Sequence, residues 1–439
     1  MIKNKYIRSV SCLAAICSVL VVDVYGQNPA PAKPQTKAIT LTGATIHIGD
    51  GKVIEEGIIS FNDGIITQVS PKGTSISAGS EMIDVKGKHI YPGIISLNTT
   101  VGLQEIASVR ATLDFNEIGE LNPHVRALVA YNTDSEVIPT LRNNGILLSQ
   151  AVPQGGIISG TSSLFYADGW NWEDAVLRAD DGIWVNWPSF LSRSFNYADF
   201  TSSVKRNDKR QVVIDKLHLS FQDAKAYAEL ENPSPVNLRM AAMKNLFNGK
   251  TNLYIRANYA KDIIESVRFA QEMGVQKIVI VGGKQALKVA PFLKENKVAV
   301  ILNESHRLPE SEDDNVYEPY ELPGLLHEAG VKVAISYAEE WWRTRNLAYQ
   351  AGQSAAFTKI SKEDALQFIT KNPAEIAGVS SQVGTLEKGK QASFVVTEGN
   401  IMDMRGNAVQ MVFIKGGKVN TDDKQKRLYE KYQGKFGAK

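Results

Sequence analysis

The chain has 439 residues, 22% charged and 43% hydrophobic, with a formal net charge of +2 at pH 7. That length holds one large α/β barrel with an appended domain, or two to three ordinary domains, and it excludes a small stapled scaffold. Basic residues are dispersed rather than blocked, so nothing marks a nucleic-acid partner.

At the N-terminus, Lys3, Lys5 and Arg8 precede an apolar run over residues 10–22, and Gly26 is a small residue suited to cleavage. The pattern predicts a secretory signal over residues 1–26. A membrane anchor is the weaker reading, because the run is shorter than the roughly 20 residues that span a bilayer. Both cysteines, Cys12 and Cys17, fall inside this segment, which leaves a processed chain without a disulfide or a thiolate metal site. The expected location is a periplasm or an extracellular space. Residues 27–37 are rich in Pro, Ala and Gln and read as a disordered leader.

From residue 38 to 91, short β-type runs at 39–48, 57–61, 65–69 and 82–85 alternate with Gly and Asp turns, which predicts antiparallel strands and hairpins. The middle of the chain has a different rhythm. Apolar runs at 94–97, 146–151, 182–187, 253–257, 277–281, 298–303 and 332–336 are separated by longer helical patterns, such as 261–273 with Gly274 as its stop. Residues 190–250 are too long and polar for one βα unit and predict an insertion or an extra helical pair. The β pattern returns over 384–396 and 409–414, and residues 422–432 read as a charged surface helix. The expected fold class is α/β. It comprises a TIM-like (β/α)8 barrel over residues 92–383, a small β-sandwich domain composed of both chain termini (38–91 and 384–420), and a helical tail over 421–439.

Several motifs, in order along the chain, carry a resemblance. They are Ala44-Thr45-Ile46-His47-Ile48-Gly49-Asp50-Gly51, Tyr91-Pro92-Gly93 leading into Ile94–Gly102, and Gly155-Gly156-Ile157-Ile158-Ser159-Gly160. Gly169-Trp170-Asn171-Trp172-Glu173-Asp174, His327-Glu328-Ala329-Gly330, Lys371-Asn372-Pro373-Ala374-Glu375 and the run from Gly384 follow. Over residues 38–420 the chain resembles the imidazolonepropionase-like branch of the amidohydrolase superfamily. The resemblance implies hydrolysis of carbon–nitrogen bonds by a divalent metal such as zinc, held by a His-x-His pair on the first barrel strand, by histidines after the fifth and sixth strands and by an aspartate after the last.

At those positions this chain carries other residues. Asn98 and Thr100 stand at the first-strand pair, Arg256 and Asn258 at the fifth strand, Gly282 at the sixth, and Ala338, or Tyr337 one residue earlier, at the last. Amide and hydroxyl oxygens are weak donors to such metals, and a guanidinium has no lone pair and repels a cation. Arg256 suits a different role, binding a ligand carboxylate or pairing with Glu339 or Glu340.

None of the histidines forms a close His-x-His or His-x-x-x-His pair. His47 and His89 belong to the β domain, His327 lies in an apolar helical context, and His306 with Glu304 follows a strand and stands near the barrel mouth. The acidic run at 310–314 lacks the glycine spacing of a calcium loop. Gly160-Thr161-Ser162-Ser163 reads as a tight turn rather than a nucleophile elbow. The six tryptophans suit a cleft, an interface anchor or the core.

Three functional readings remain. The first is a superfamily member that has lost its metal centre and serves as a structural or ligand-binding subunit, paired with a catalytic relative or with itself. The second is an active hydrolase of C–N (non-peptide or cyclic amide) bonds with a relocated or atypical metal site, and the third a secreted binder of small carboxylates. The first expectation carries no cofactor, and the ligand candidates are Arg256, Glu304, His306, Tyr337 and Glu339.

Overall fold

The structure, a computed structural model, describes residues 28–76, 79–196, 200–308, 314–338 and 341–437. The expected secretory signal lies outside them. Among the described residues no helix is long and apolar enough to cross a membrane.

Eight strands form the barrel sheet, in the order β6 (Ile94–Thr99), β7 (Ile146–Ala151), β8 (Ile158–Tyr166), β9 (Val176–Asn186), β12 (Asn252–Ala257), β13 (Ile278–Gly282), β14 (Ala299–Leu302) and β15 (Val333–Ile335). Most neighbours are parallel, as short apolar runs separated by helices require. The third strand is not. β8 runs antiparallel to both β7 and β9. Only six residues join β7 to β8, and Gly155 and Gly156 there have φ of +80° and +62°. A parallel crossover needs about a dozen residues, so this connection permits only a reversal. Gly160–Ser163, expected as a tight turn, are therefore part of a fully buried strand.

The barrel closes through a short bridge. Ile95 N–H donates to Ile369 O at 2.8 Å and Ile335 N–H to Phe368 O at 3.1 Å, so the backbone just after the helix Lys362–Gln367 spans the seam between β6 and β15.

The second sheet takes strands from both ends of the chain. β1 (Ile39–His47) pairs with β2 (Val53–Asn62) on one side and with β4 (Glu81–Asp84) and β5 (His89–Pro92) on the other. β3 (Ile65–Ser70) continues from β2, and β16 (Phe394–Thr397), β17 (Val409–Ile414) and β18 (Gly417–Lys418) continue from β5. Phe61 on β2 meets Phe394 and Phe413 at ring distances of 5.4 and 5.2 Å, although two strands separate β2 from β16 in the order. A single sheet thus curls around its own core in place of two stacked sheets.

Residues 28–37, expected as a disordered leader, instead lie extended along both units. Asn28 Nδ2 donates to Asp134 O (2.7 Å), Ala32 N–H to Asp168 Oδ2 (3.0 Å) and Gln35 Nε2 to Phe61 O (2.9 Å), while Gln35 Oε1 accepts from Gly64 N–H (2.9 Å). The prolines that forbid a helix also favour the extended backbone these bonds require. The expected insertion is a hairpin, β10 (Leu191–Asn196) and β11 (Thr201–Arg206), followed by the helices Arg210–Ala228 and Leu238–Phe247.

Side chains of alternate residues on β9 and β12 fill the barrel. The register pairs Asn252 with Gly182, Tyr254 with Trp184 and Arg256 with Asn186. A Cβ at Gly182 would lie 2.4 Å from Tyr254 Cε2 and 2.7 Å from Asn252 O. Gly182→Ala is expected to cost about 1–3 kcal/mol by overpacking, seen as a lower midpoint of urea unfolding; an unchanged midpoint would mean that this layer yields freely.

Candidate functional site

The barrel interior is organised by a buried carboxylate. Asp181 on β9 accepts hydrogen bonds from Gln150 Nε2 (2.6 Å), Ser162 Oγ (2.7 Å) and Tyr254 OH (2.7 Å). Gln150 Oε1 in turn accepts from Asn98 N–H (3.0 Å), so the network joins β6, β7, β8, β9 and β12. Burial pushes the Asp181 pKa up, against the pull of these donors and of Arg178. Above it, Trp184 stacks on Tyr254 at 4.5 Å and donates Nε1–H to Ser162 Oγ (2.7 Å).

At the top of this column, in the mouth formed by the carboxyl ends of the strands, stands Arg256. Its guanidinium lies 4.6 Å from the Trp184 ring centre. Nη1 donates to Ser159 Oγ (3.2 Å) and Asn186 Oδ1 (3.1 Å), and Nη2 to Pro153 O (3.2 Å). All three acceptors are neutral, and burial alone pushes the Arg256 pKa down to about 10, which leaves it charged at neutral pH. Among the described residues no carboxylate pairs with it. Glu339 and Glu340, the partners expected from sequence, lie outside them.

The other expected ligand positions are engaged differently. Asn98 adopts φ +54°, a left-handed conformation that asparagine tolerates, and its Nδ2 donates to Asn303 Oδ1 (3.1 Å) across the seam. Thr100 Oγ1 donates to Gln104 Oε1 (3.1 Å), turning into the following loop. Asn258 has a buried Oδ1 with no hydrogen-bond partner, 2.4 Å from where a Cβ on Gly282 would fall. With φ at +97°, Gly282 cannot be exchanged for a histidine without moving both residues. Tyr337 is buried and Ala338 partly so.

Glu304 lines a cavity of about 130 Å³ with Asn258, Gly282, Asn303 and Arg307. His306 is not part of that lining. It is exposed, accepts a hydrogen bond at Nδ1 from Gln353 Nε2 (3.0 Å) and sits 5.6 Å from the Tyr320 ring. The structure does not bring the expected Glu304 and His306 pair into one site.

These positions do not fit a divalent transition metal. They supply amides, a hydroxyl, a glycine and a cation where such an ion needs imidazole or carboxylate. Among the described residues no three His, Cys, Asp or Glu side chains group as a metal site. Ser159, Asn186 and the Pro153 carbonyl, which hold Arg256, escape a reading of the sequence; the Gly155–Gly160 motif marks their neighbourhood without revealing the reversed strand that presents Ser159.

The barrel with a curled β domain defines the amidohydrolase class of fold. Residues 241–419 match the model of the amidohydrolase family. An amidohydrolase from Thermotoga maritima shares the fold with 23% identity and a TM-score of 0.74, over 87% of this chain and 99% of that one. A putative prolidase from Bifidobacterium longum is 17% identical with a TM-score of 0.52, over 91% of this chain and 100% of that one. An adenosine deaminase from Xanthomonas campestris with bound zinc is 14% identical with a TM-score of 0.51, over 93% and 99%. The family match covers residues 241–419, and the solved structures extend the shared fold over 87–93% of the chain. No curated protein matches its sequence.

Removing one donor from Asp181 leaves a buried polar group less well satisfied. Tyr254→Phe is expected to destabilise the protein by about 1.5–3 kcal/mol, measured by chemical denaturation, with Trp184 and Asn252 left in place.

Proposed function

We propose that this chain is a non-catalytic member of the amidohydrolase superfamily whose barrel mouth binds a small carboxylate through Arg256. The observation that carries the reading is a guanidinium largely desolvated by its neighbours yet partly open at the mouth, with three neutral acceptors and, among the described residues, no acidic partner. Such a charge is costly to keep unless something else compensates it. A ligand carboxylate does so. The guanidinium has five N–H donors and three hydrogen bonds to the protein. Nε–H and one Nη2 hydrogen remain to donate to a carboxylate. Trp184 holds the guanidinium plane, which limits the ordering cost on binding.

Hydrolysis asks for a water made nucleophilic by a metal or a general base. The mouth offers neither an imidazole nor a described carboxylate beside Arg256, and its positive charge opposes a divalent ion at the same place.

Titration calorimetry with acetate, succinate and an N-acetyl amino acid tests the reading. Binding is expected for the wild type and lost in Arg256→Met, which keeps or raises the melting temperature because an uncompensated buried charge is removed. Arg256→Lys is expected to bind more weakly, since an ammonium cannot form the paired contact. Wild-type protein loaded with zinc and manganese is expected to show only background metal by elemental mass spectrometry. Stoichiometric retained metal, or equal carboxylate binding by Arg256→Met, would overturn the proposal.

The pH dependence follows from the lowered pKa. Arg256 is protonated well below about 10, so carboxylate binding is expected to be flat across neutral pH and to weaken as pH rises past that value. Calorimetry in a pH series checks this, and a loss of binding already near pH 7 would point to a histidine instead.

A further inference from the structure

The C-terminal helix Lys424–Phe436 is 13 residues long and has no buried residue. Isolated helices of that length are marginal in water, and most helical stability in proteins comes from packing one face. Here only the first turn is held. Asp423 caps it by accepting from Lys426 N–H (2.7 Å) and is itself bonded by Asn143; Thr140 Oγ1 donates to Gln425 Oε1 (2.7 Å), and Lys424 pairs with Glu136 at 2.7 Å. From Arg427 to Gly437 every residue is exposed.

The exposed part is patterned. At 3.6 residues per turn, Leu428, Tyr429, Tyr432 and Phe436 fall within an arc of about 100°. Their exposure ranges from 43% at Leu428 to 71% at Phe436. Arg427, Lys431 and Lys435 lie along one flank of that arc, and Lys431 and Lys435 reach over the neighbouring rings. The helix holds five basic residues and one acidic residue, Glu430. The whole chain has a net charge of only +2, so the remainder is net negative and the positive excess is gathered in this helix.

We infer that this helix is an interfacial anchor that lies on an anionic lipid surface, with Leu428, Tyr432 and Phe436 in the headgroup boundary and Lys431 and Lys435 against lipid phosphates. A cationic flank beside an aromatic and aliphatic stripe is the pattern such surfaces take up, and tyrosine suits the boundary between apolar and wet layers. The charge segregation selects anionic lipid over a neutral apolar partner. The tethered first turn fixes which end of the barrel faces the surface.

The test is hydrogen exchange, read over residues 424–437 of the full chain, so that any binding through the N-terminal apolar run does not enter the readout. Vesicles of phosphatidylcholine with phosphatidylglycerol are expected to slow exchange in this segment by about tenfold or more. Phosphatidylcholine alone is expected to have little effect, and raised salt to reverse the protection. The variant Leu428→Gln, Tyr432→Gln, Phe436→Gln is expected to lose the protection with an unchanged melting temperature, since none of the three is buried. Unchanged exchange on anionic vesicles would overturn the proposal. So would protection equal in the variant, or protection that grows with protein concentration without lipid, which would assign the stripe to a second copy of the chain.

Discussion

The barrel of this protein depends on the hydrogen bonding of one buried carboxyl group. Asp181 is removed from water and recovers hydrogen bonds from Gln150, Ser162 and Tyr254, each on a different strand. A carboxylate so placed is tolerable only while all its donors hold their positions. The positions of the neighbouring side chains follow from this. Tyr254 must point inward to reach Asp181, Trp184 stacks on Tyr254 and uses Ser162, and Arg256 two residues beyond Tyr254 reaches the mouth over Trp184. A carboxyl group inside and a guanidinium at the rim thus end one aromatic column.

That column bears on the chemistry of the mouth. In a metal-dependent barrel the strand ends converge on a cation. Here the same strand ends converge on a guanidinium, and the groups around it have turned to serve it or one another. Asn186, Ser159 and the Pro153 carbonyl accept from Arg256, while Asn98 binds Asn303 across the seam. In the function proposed above, the site serves the opposite requirement, a place for an anion rather than for electron-pair donors. Similarity to hydrolases at low identity fixes the fold, and the chemistry has to be argued from the side chains.

Much of the architecture was legible in the sequence because its physics is local. Ile146–Ala151 and the apolar runs of β12 to β15 are buried strands with helices between them, and apolar periodicity reports that directly. The reversed third strand was not legible. Its six-residue approach and small residues have the composition of a turn, and only the partners on both sides reveal a strand. The leader misled for a similar reason: composition describes what residues 28–37 do alone, whereas Asp168 and Phe61, distant in sequence, decide what they do in the fold. At the mouth the residue types display Arg256 and its neutral neighbours, but the acceptors of Arg256 come from separate segments that no spacing rule connects.

The seam has a consequence for the order of folding. β6 finds its second partner only through Ile369, and β5 pairs with β16, near the C-terminus. Both closures therefore join residues separated by more than half the chain, and neither sheet is complete until the last elements have been made. Such contacts close large loops and form slowly. During synthesis the edges of β5 and β6 wait unpaired. A chain shortened at its C-terminal end would lose more than a strand of the small domain; it would leave the barrel open along β6 as well if the cut fell before Phe368.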